Sequence, residues 1–317
     1  MYIAEHEIRS LLHYETLIPA IRQALIDYSS GLVDQPPRMI LRAGNADGFK
    51  NGWFAVMPVI AGDFIGVKNV TFYPGNAERG LDTHMATIAL MRRATGEPLA
   101  MMDGRLITEM RTAAVSAVAW AALTPLHFNA PPLSLGILGS GVQAHAHLQA
   151  LRHVWPQLEE IRIWSRTHAH AERLAANSSE GSPARAVAIE EASAADVVLT
   201  VTSSPEPVLH GRHLSPRALV LAVGATGSTL RELDDEVLHG SYLVADARSC
   251  VERESGDVRL SGAKVHAEIG EILAHPDAAK IPRDRRIIFK SVGLAIEDLT
   301  GARLVWQART ASPGPIR

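Results

Sequence analysis

The segment "LGILGSGVQAHAHL", residues 135–148, sets Gly139, Gly141 and Ala144 in the spacing G-x-G-x-x-A. An apolar β-type run enters it and a helix-favouring stretch leaves it, which is the setting a phosphate-binding turn requires. The first glycine permits the tight turn, the second lets backbone approach a pyrophosphate, and Ala144 lets the helix lie close on the sheet. The helix N-terminus then offers free N–H groups to phosphate charge. Spacing alone is a weak signal, since a plain strand-to-helix turn can share it. Its place in a β-α-β pattern makes a dinucleotide the expected ligand.

The next strand decides which dinucleotide. An acidic residue at its end would accept from the adenosine ribose 2′-hydroxyl of NAD. Here "IRIWSRTHAH" places Ser165, Arg166 and Thr167 instead. A cation flanked by two hydroxyls suits a 2′-phosphate, so NADP(H) is expected to be preferred, with NAD(H) still possible. The competing reading of Arg166 is a solvated residue at a helix start. Two histidine pairs, His145 with His147 and His168 with His170, sit at i and i+2. Such positions do not share a helix face, so no metal site is expected. The single cysteine, Cys250, cannot form an internal disulfide and reads as filler near a strand end.

These groups need a scaffold, and the 317 residues are enough for two cores. Residues 6–29 carry apolar positions at helical spacing, giving one or two amphipathic helices. "GWFAVMPVI", "FIGVKNVTFY", "ATIALMRRA", "PLAMMDG" and "RLITEM" read as antiparallel strands joined at Ala61-Gly62-Asp63, Thr95-Gly96 and Asp103-Gly104. "RTAAVSAVAWAAL" reads as a helix of small residues halted at Thr124-Pro125, and Pro131-Pro132 marks a boundary. Beyond it, "LSLGILG", "EIRIWSR", "ADVVLTVTS", "RALVLAVGA", "SYLVADA" and "RIIFKSVG" are mostly separated by helix-compatible segments. That alternation calls for a parallel sheet. "IEDLTGARLVWQART" is helical and the closing "ASPGPIR" is expected to fray.

Composition narrows the function. A formal charge of −3 with 21% charged residues offers no polyanion-binding surface, so nucleic acid is not an expected partner. No run approaches the roughly 18 apolar residues of a membrane span, and the opening residues lack a signal-peptide layout, so a cytoplasmic protein with no membrane partner is expected.

The strings "GVKNVTFYPGN", "TGEPLAMMDGRLITEMRTAAVSA", "ILGSGVQA", "RIWSRT", "RELDDE", "ESGDVRLSGA" and "FKSVGLAIED" resemble the ornithine cyclodeaminase and mu-crystallin family along nearly the whole chain. Several are closer to its mu-crystallin branch. The resemblance implies an α/β protein: a substrate-binding and dimerisation domain, residues 1–115 completed by 294–317, whose antiparallel sheet forms a homodimer, and a Rossmann domain, residues 116–293. It implies an active site in the cleft between them and a small imino or amino acid substrate bearing an α-carboxylate. Carried over by position, Arg38 resembles the carboxylate clamp, with Arg42 four residues away as the alternative. Lys68 resembles a carboxylate partner or proton donor, and Arg111 a bridge between substrate and cofactor.

Thr83 and His84 fall where the family lines the nicotinamide end, and His84 could relay protons near neutral pH, although a lone histidine is more often structural. The cofactor contacts implied by the resemblance are Thr83, Arg111, Thr112, Gly139, Ser140, Gly141, Val142, Gln143, Ser165, Arg166, Thr167, Thr202, Val223, Gly224 and Ser291. One departure bears on activity. Ornithine cyclodeaminases carry an aspartate where this chain has Thr226, and threonine cannot act as a base at neutral pH. Asp234 and Asp235, nearby, read as helix-start residues. The expectation is therefore an NAD(P)H-dependent reductase of small cyclic ketimines of the pyrroline-2-carboxylate or piperideine-2-carboxylate type. The alternatives are an ornithine cyclodeaminase or related amino-acid dehydrogenase, and a non-catalytic NADPH-dependent small-ligand-binding protein.

Overall fold

The computed structural model describes residues 1–43, 52–178 and 182–311. The closing segment expected to fray lies outside the described residues, save Ala311. The chain forms two compact units, residues 1–111 with 294–317, and residues 112–293.

The first unit begins with β1 (Tyr2–Ile3), α1 (Glu5–Leu11) and α2 (Tyr14–Ser29) and continues through β2 (Met39–Arg42), β3 (Trp53–Ala61), β4 (Phe64–Phe72), β5 (His84–Arg92) and β6 (Pro98–Asp103). These strands form one sheet in the order β1-β6-β5-β4-β3-β2, antiparallel except for the parallel β1-β6 pair. Strand alternation gives the sheet two unlike faces. Val59, Gly66, Leu90 and Ala100 lie opposite one another in register, as do Met57, Lys68, Ile88 and Met102. This face is covered by the final helix, Ala295–Ala311, and a side chain on Gly66 would meet Leu299 Cδ1 at 2.7 Å. The opposite face carries Tyr2, Met39, Leu41, Met85 and Met101, all at least 43% exposed.

The segment "RLITEM" departs from the expected strand: it opens α3 (Arg105–His127). Asp103 ends β6 and its Oδ1 accepts from Arg105 N at 2.8 Å, while Thr108 N donates to Gly104 O at 2.9 Å. Gly104 serves no hairpin. A Cβ there would stand 2.8 Å from Ala86 Cβ, so the glycine lets the helix start against β5. Nor does Thr124-Pro125 stop this helix, which carries Pro125 inside and runs to His127. Phe128 N still bonds Thr124 O at 2.9 Å, and both ring nitrogens of His127 face the carbonyls of Pro282 and Arg217. By length and composition α3 could cross a membrane, yet 78% of its apolar window is buried in the fold, as in the core helix of a folded protein.

The second unit follows with β7 (Ser134–Leu138), α4 (Val142–Val154), β8 (Glu160–Trp164), α5 (His168–Ala176), β9 (Ala184–Ala186), α6 (Ile189–Ser193), β10 (Val197–Thr200) and β11 (Leu219–Ala222). Then come α7 (Asp235–His239), β12 (Ser241–Ala245), α8 (Arg248–Glu254), α9 (Gly256–Ser261), β13 (Ala267–Glu268), α10 (Ile269–Ala274) and β14 (Arg286–Lys290); the final helix of the first unit is α11. All eight strands are parallel, in the order β13-β12-β14-β11-β10-β7-β8-β9. The apolar runs of β10, up to its closing Thr200, and of β11 follow from burial on both faces. Chain order reverses between β7 and β10, which is the switch point where doubly wound sheets bind ligands. Cys250 lies buried in the first turn of α8, just after β12.

Candidate active site

The glycine turn occupies the β7-to-α4 junction at that switch point. Gly139 takes φ +126°, and a Cβ on it would meet Val201 O at 2.8 Å, so the tight turn and the neighbouring strand both demand glycine. Gly141 is different. It is the N-cap of α4, supplies no capping side chain, and a Cβ on it would meet nothing within 4 Å. Exposed Val142 and half-buried Gln143 form the helix's first turn, and Ala144 is fully buried. Open space over helix N–H groups fits a pyrophosphate. Ser140 Oγ donates to Ser165 Oγ at 2.8 Å, joining this turn to the end of β8, where Arg166 and Thr167 are exposed.

Thr202, Val223 and Gly224 follow the ends of β10 and β11, and Thr226 lies exposed on the loop beyond. Gly224 is required by packing, since a Cβ there would stand 2.2 Å from Thr202 O and 2.4 Å from Glu232 Oε1. Thr112 is buried in α3. Ser291 is also buried, with its hydroxyl donating to Asp246 Oδ2 at 2.9 Å. Asp234 caps α7, accepting from Val237 N at 2.9 Å, and Asp235 pairs with Arg231. His147 is buried between Ser116 Oγ and Gln143 O, whereas His145 is exposed beside Gln149. Among the described residues no three histidine, cysteine or acidic side chains gather as a metal site.

The first unit gathers the cations. Lys68 is 3% exposed on the covered face of β4, and its Nζ lies 2.6 Å from Asp298 Oδ2. Arg111, in α3, reaches Asp298 Oδ1 through Nε at 2.9 Å and Glu297 Oε2 through Nη1 at 2.5 Å. Glu297 and Asp298 sit in the first turn of α11, where the helix dipole favours carboxylates. Gln35 Oε1 accepts from Ile296 N at 2.9 Å, tying the segment that leads to half-buried Arg38 to the same helix start. Arg42, by contrast, is exposed.

Burial pushes the Lys68 ammonium down to about 8. Asp298 opposes that shift, and Arg111 and Arg38 add to it by repulsion. Burial would raise the Asp298 carboxyl, but Arg111 and Lys68 prevail and hold it below its ordinary range. His84 opens β5 with Thr83 just before it. Burial, with repulsion from Lys68 and Arg111, lowers its imidazole to about 4. That shift favours the neutral imidazole, a ring with one donor and one acceptor nitrogen. Glu297 and Asp298 escaped the sequence reading, although the string "FKSVGLAIED" held them. Acidic residues at a helix start look like ordinary capping chemistry until the partner cations are placed.

A second unit built on a doubly wound parallel sheet with a glycine turn at its switch point, and a first unit burying a lysine-arginine-carboxylate cluster under a sheet, define a Rossmann-type α/β protein with an added α+β unit. The chain belongs to the Ornithine cyclodeaminase/mu-crystallin family, whose model matches residues 1–312. It is 37% identical over 314 residues to the ketimine reductase mu-crystallin of Mus musculus, covering 97% of this chain and 96% of that one. The structure of Thermococcus litoralis Δ1-pyrroline-2-carboxylate reductase in complex with NADH and L-proline superposes with a TM-score of 0.91 at 30% identity, covering 98% of each chain. An archaeal alanine dehydrogenase dimer with bound NAD gives 0.90 at 28% identity, covering 98% of this chain and 96% of that one.

Proposed function

We propose that the protein reduces small cyclic ketimines bearing an α-carboxylate, of the pyrroline-2-carboxylate or piperideine-2-carboxylate type, with a nicotinamide cofactor. The observation that carries this reading is the cationic cluster of Lys68, Arg111 and Arg38, in which burial lowers the Lys68 ammonium to about 8 beside the Asp298 carboxylate. The activity named for the T. litoralis and mouse relatives supports it. Arg38 binds the substrate carboxylate, whose two oxygens match a guanidinium fork. Lys68 stands as carboxylate partner and proton donor: a proton on the imine nitrogen makes the C=N carbon the electrophile that accepts hydride. Asp298 orients the Lys68 ammonium, and Glu297 with Asp298 fixes the Arg111 guanidinium.

The cofactor supplies hydride. Gly139, Ser140, Gly141, Val142 and Gln143 hold its pyrophosphate, and Ser165, Arg166 and Thr167 take the adenosine ribose. The exposed Arg166 favours NADP(H), with NAD(H) also accepted. Thr202, Val223 and Gly224 would hold the other half of the dinucleotide, with Thr112 and Ser291 as supporting residues, and the family resemblance assigns Thr83 and His84 to the nicotinamide. Thr226 offers a hydroxyl and no carboxylate, which favours reduction of a ready-made C=N over amine oxidation.

The uncovered apolar face of the antiparallel sheet, with Tyr2, Met85 and Met101, supports self-association as a homodimer. The test of function is cofactor oxidation with each cyclic ketimine, followed at the reduced nicotinamide absorbance. Turnover with both ketimines supports the reading, and none with either rejects it.

A further inference from the structure

Among the described residues of the second unit, a buried charged group surrounds Glu232. Its carboxylate accepts from Thr200 Oγ1 at 2.8 Å, Gly224 N at 2.8 Å and Ala225 N at 3.2 Å through Oε2, and from Thr202 N at 2.5 Å through Oε1. The backbone of Glu232 is itself fixed, because Asp257 Oδ1 accepts from Glu232 N at 2.8 Å and Leu233 N at 3.0 Å. Lys290, at the end of β14, closes the group with Nζ 3.0 Å from Asp257 Oδ2. Glu232, Asp257 and Lys290 are all 0% exposed. Thus one buried carboxylate ties together the loops that leave two neighbouring strands, β10 and β11, on one side of the switch point.

Burial pushes the Glu232 carboxyl above its ordinary range, opposed by the Lys290 charge and by the Thr202 and Thr200 donors, so what the geometry itself shows is an acceptor satisfying donors from two loops at once. A merely structural ion cluster could sit anywhere in the sheet. This one sits at the carboxyl ends of the strands, opposite the β7-to-α4 turn and the end of β8, which take the pyrophosphate and the adenosine ribose in a doubly wound fold. The half of the crevice that Glu232 organises is therefore the nicotinamide half.

We propose that Glu232 is a positioning residue, whose carboxylate sets the Thr202 and Gly224 loops in the conformation that receives the nicotinamide half of the cofactor. The proposal rests on the nicotinamide-cofactor reading above. It touches no reacting atom and acts only through the backbone N–H groups it fixes. Glu232→Gln preserves shape but turns an NH2 toward N–H donors, so at least one of them loses its acceptor.

The experiment titrates the wild type, Glu232→Gln and Thr200→Val with NADPH and with its adenine-side fragment, 2′-phospho-ADP-ribose. In Glu232→Gln the NADPH Kd is expected to rise about tenfold or more while the fragment Kd stays within about twofold. Thr200→Val, which removes one donor, should show the same split at a smaller size, and it carries the test if Glu232→Gln does not fold. Unchanged NADPH affinity, or an equal loss for NADPH and fragment, overturns the positioning role. A wild type that binds neither of these, nor NADH and ADP-ribose, overturns the cofactor reading instead.

Discussion

Replacing Gly141 by valine and Gly139 by alanine should break the protein in opposite ways, because the two glycines of one turn are glycines for different reasons. Gly141 has φ −82° and ψ −168°, which any residue adopts, and a Cβ there meets nothing within 4 Å. Gly141→Val should therefore unfold within about 1 kcal/mol of the wild type, the cost of a β-branched residue at an N-cap. Its side chain nevertheless fills the space a pyrophosphate needs above the α4 N-terminus. Losing two charge-assisted hydrogen bonds, at about 1.5–3 kcal/mol each, weakens cofactor binding by at least about a hundredfold. Gly139→Ala meets Val201 O at 2.8 Å and must hold φ +126°. Overpacking alone costs about 1–3 kcal/mol, so this variant should lose several degrees of Tm. Thermal unfolding paired with a fluorescence titration of NADPH reads both effects. A folded Gly141→Val that binds NADPH as tightly as the wild type would refute the turn's assignment, and a Gly141→Val that unfolds like Gly139→Ala would refute the distinction.

Other expectations follow from the same structure. Arg166→Asp exchanges a phosphate-pairing cation for a ribose acceptor, so the NADPH-to-NADH affinity ratio should fall about tenfold to a hundredfold, and an unmoved ratio removes Arg166 from the cofactor. If Lys68 delivers the proton, kcat/KM for the ketimine should decline as pH rises through about 8. Lys68→Met should lower the rate about 10²- to 10⁴-fold and erase that limb; a limb that persists in the variant belongs to another group. The His84 imidazole sits at about 4 in the folded state, below the ordinary value of about 6.5, so the unfolded chain takes up the proton first as pH falls. Stability present above about 6.5 should be lost toward about 4, and less steeply in His84→Gln; equal urea-midpoint slopes would contradict this.

Much of this architecture was legible because it repeats. The strand-helix alternation after Pro131-Pro132 and the apolar runs of the parallel strands write the doubly wound sheet into the sequence, and the Gly139 turn punctuates it at the right place. Junctions were less legible. "RLITEM" has strand-like alternation, but Asp103 and Gly104 launch a helix, and the choice depends on the closeness of Ala86, a contact from another strand. Pro125 similarly fails as a stop because the next turn keeps its Thr124-to-Phe128 bond and distant carbonyls hold His127.

The site divides along the same line. Lys68 and Arg111 stood out within their motifs, yet their charges are set by Asp298 and Glu297, almost 190 residues beyond Arg111 in sequence. Asp257 and Lys290 were invisible as partners for the same reason: no local pattern announces which buried charges meet. The burial that lowers His84 was likewise absent from its neighbours in the chain.

This chain is expected to reduce cyclic ketimines and not to deaminate ornithine. The most direct measurement gives the wild type NADPH or NADH with pyrroline-2-carboxylate and with piperideine-2-carboxylate, and in parallel gives it NAD with ornithine while ammonia is followed. Oxidation of the reduced cofactor with the cyclic imines, and little or no ammonia from ornithine, is the expected result. Robust ammonia and proline formation from ornithine, despite a threonine at position 226, would contradict the account.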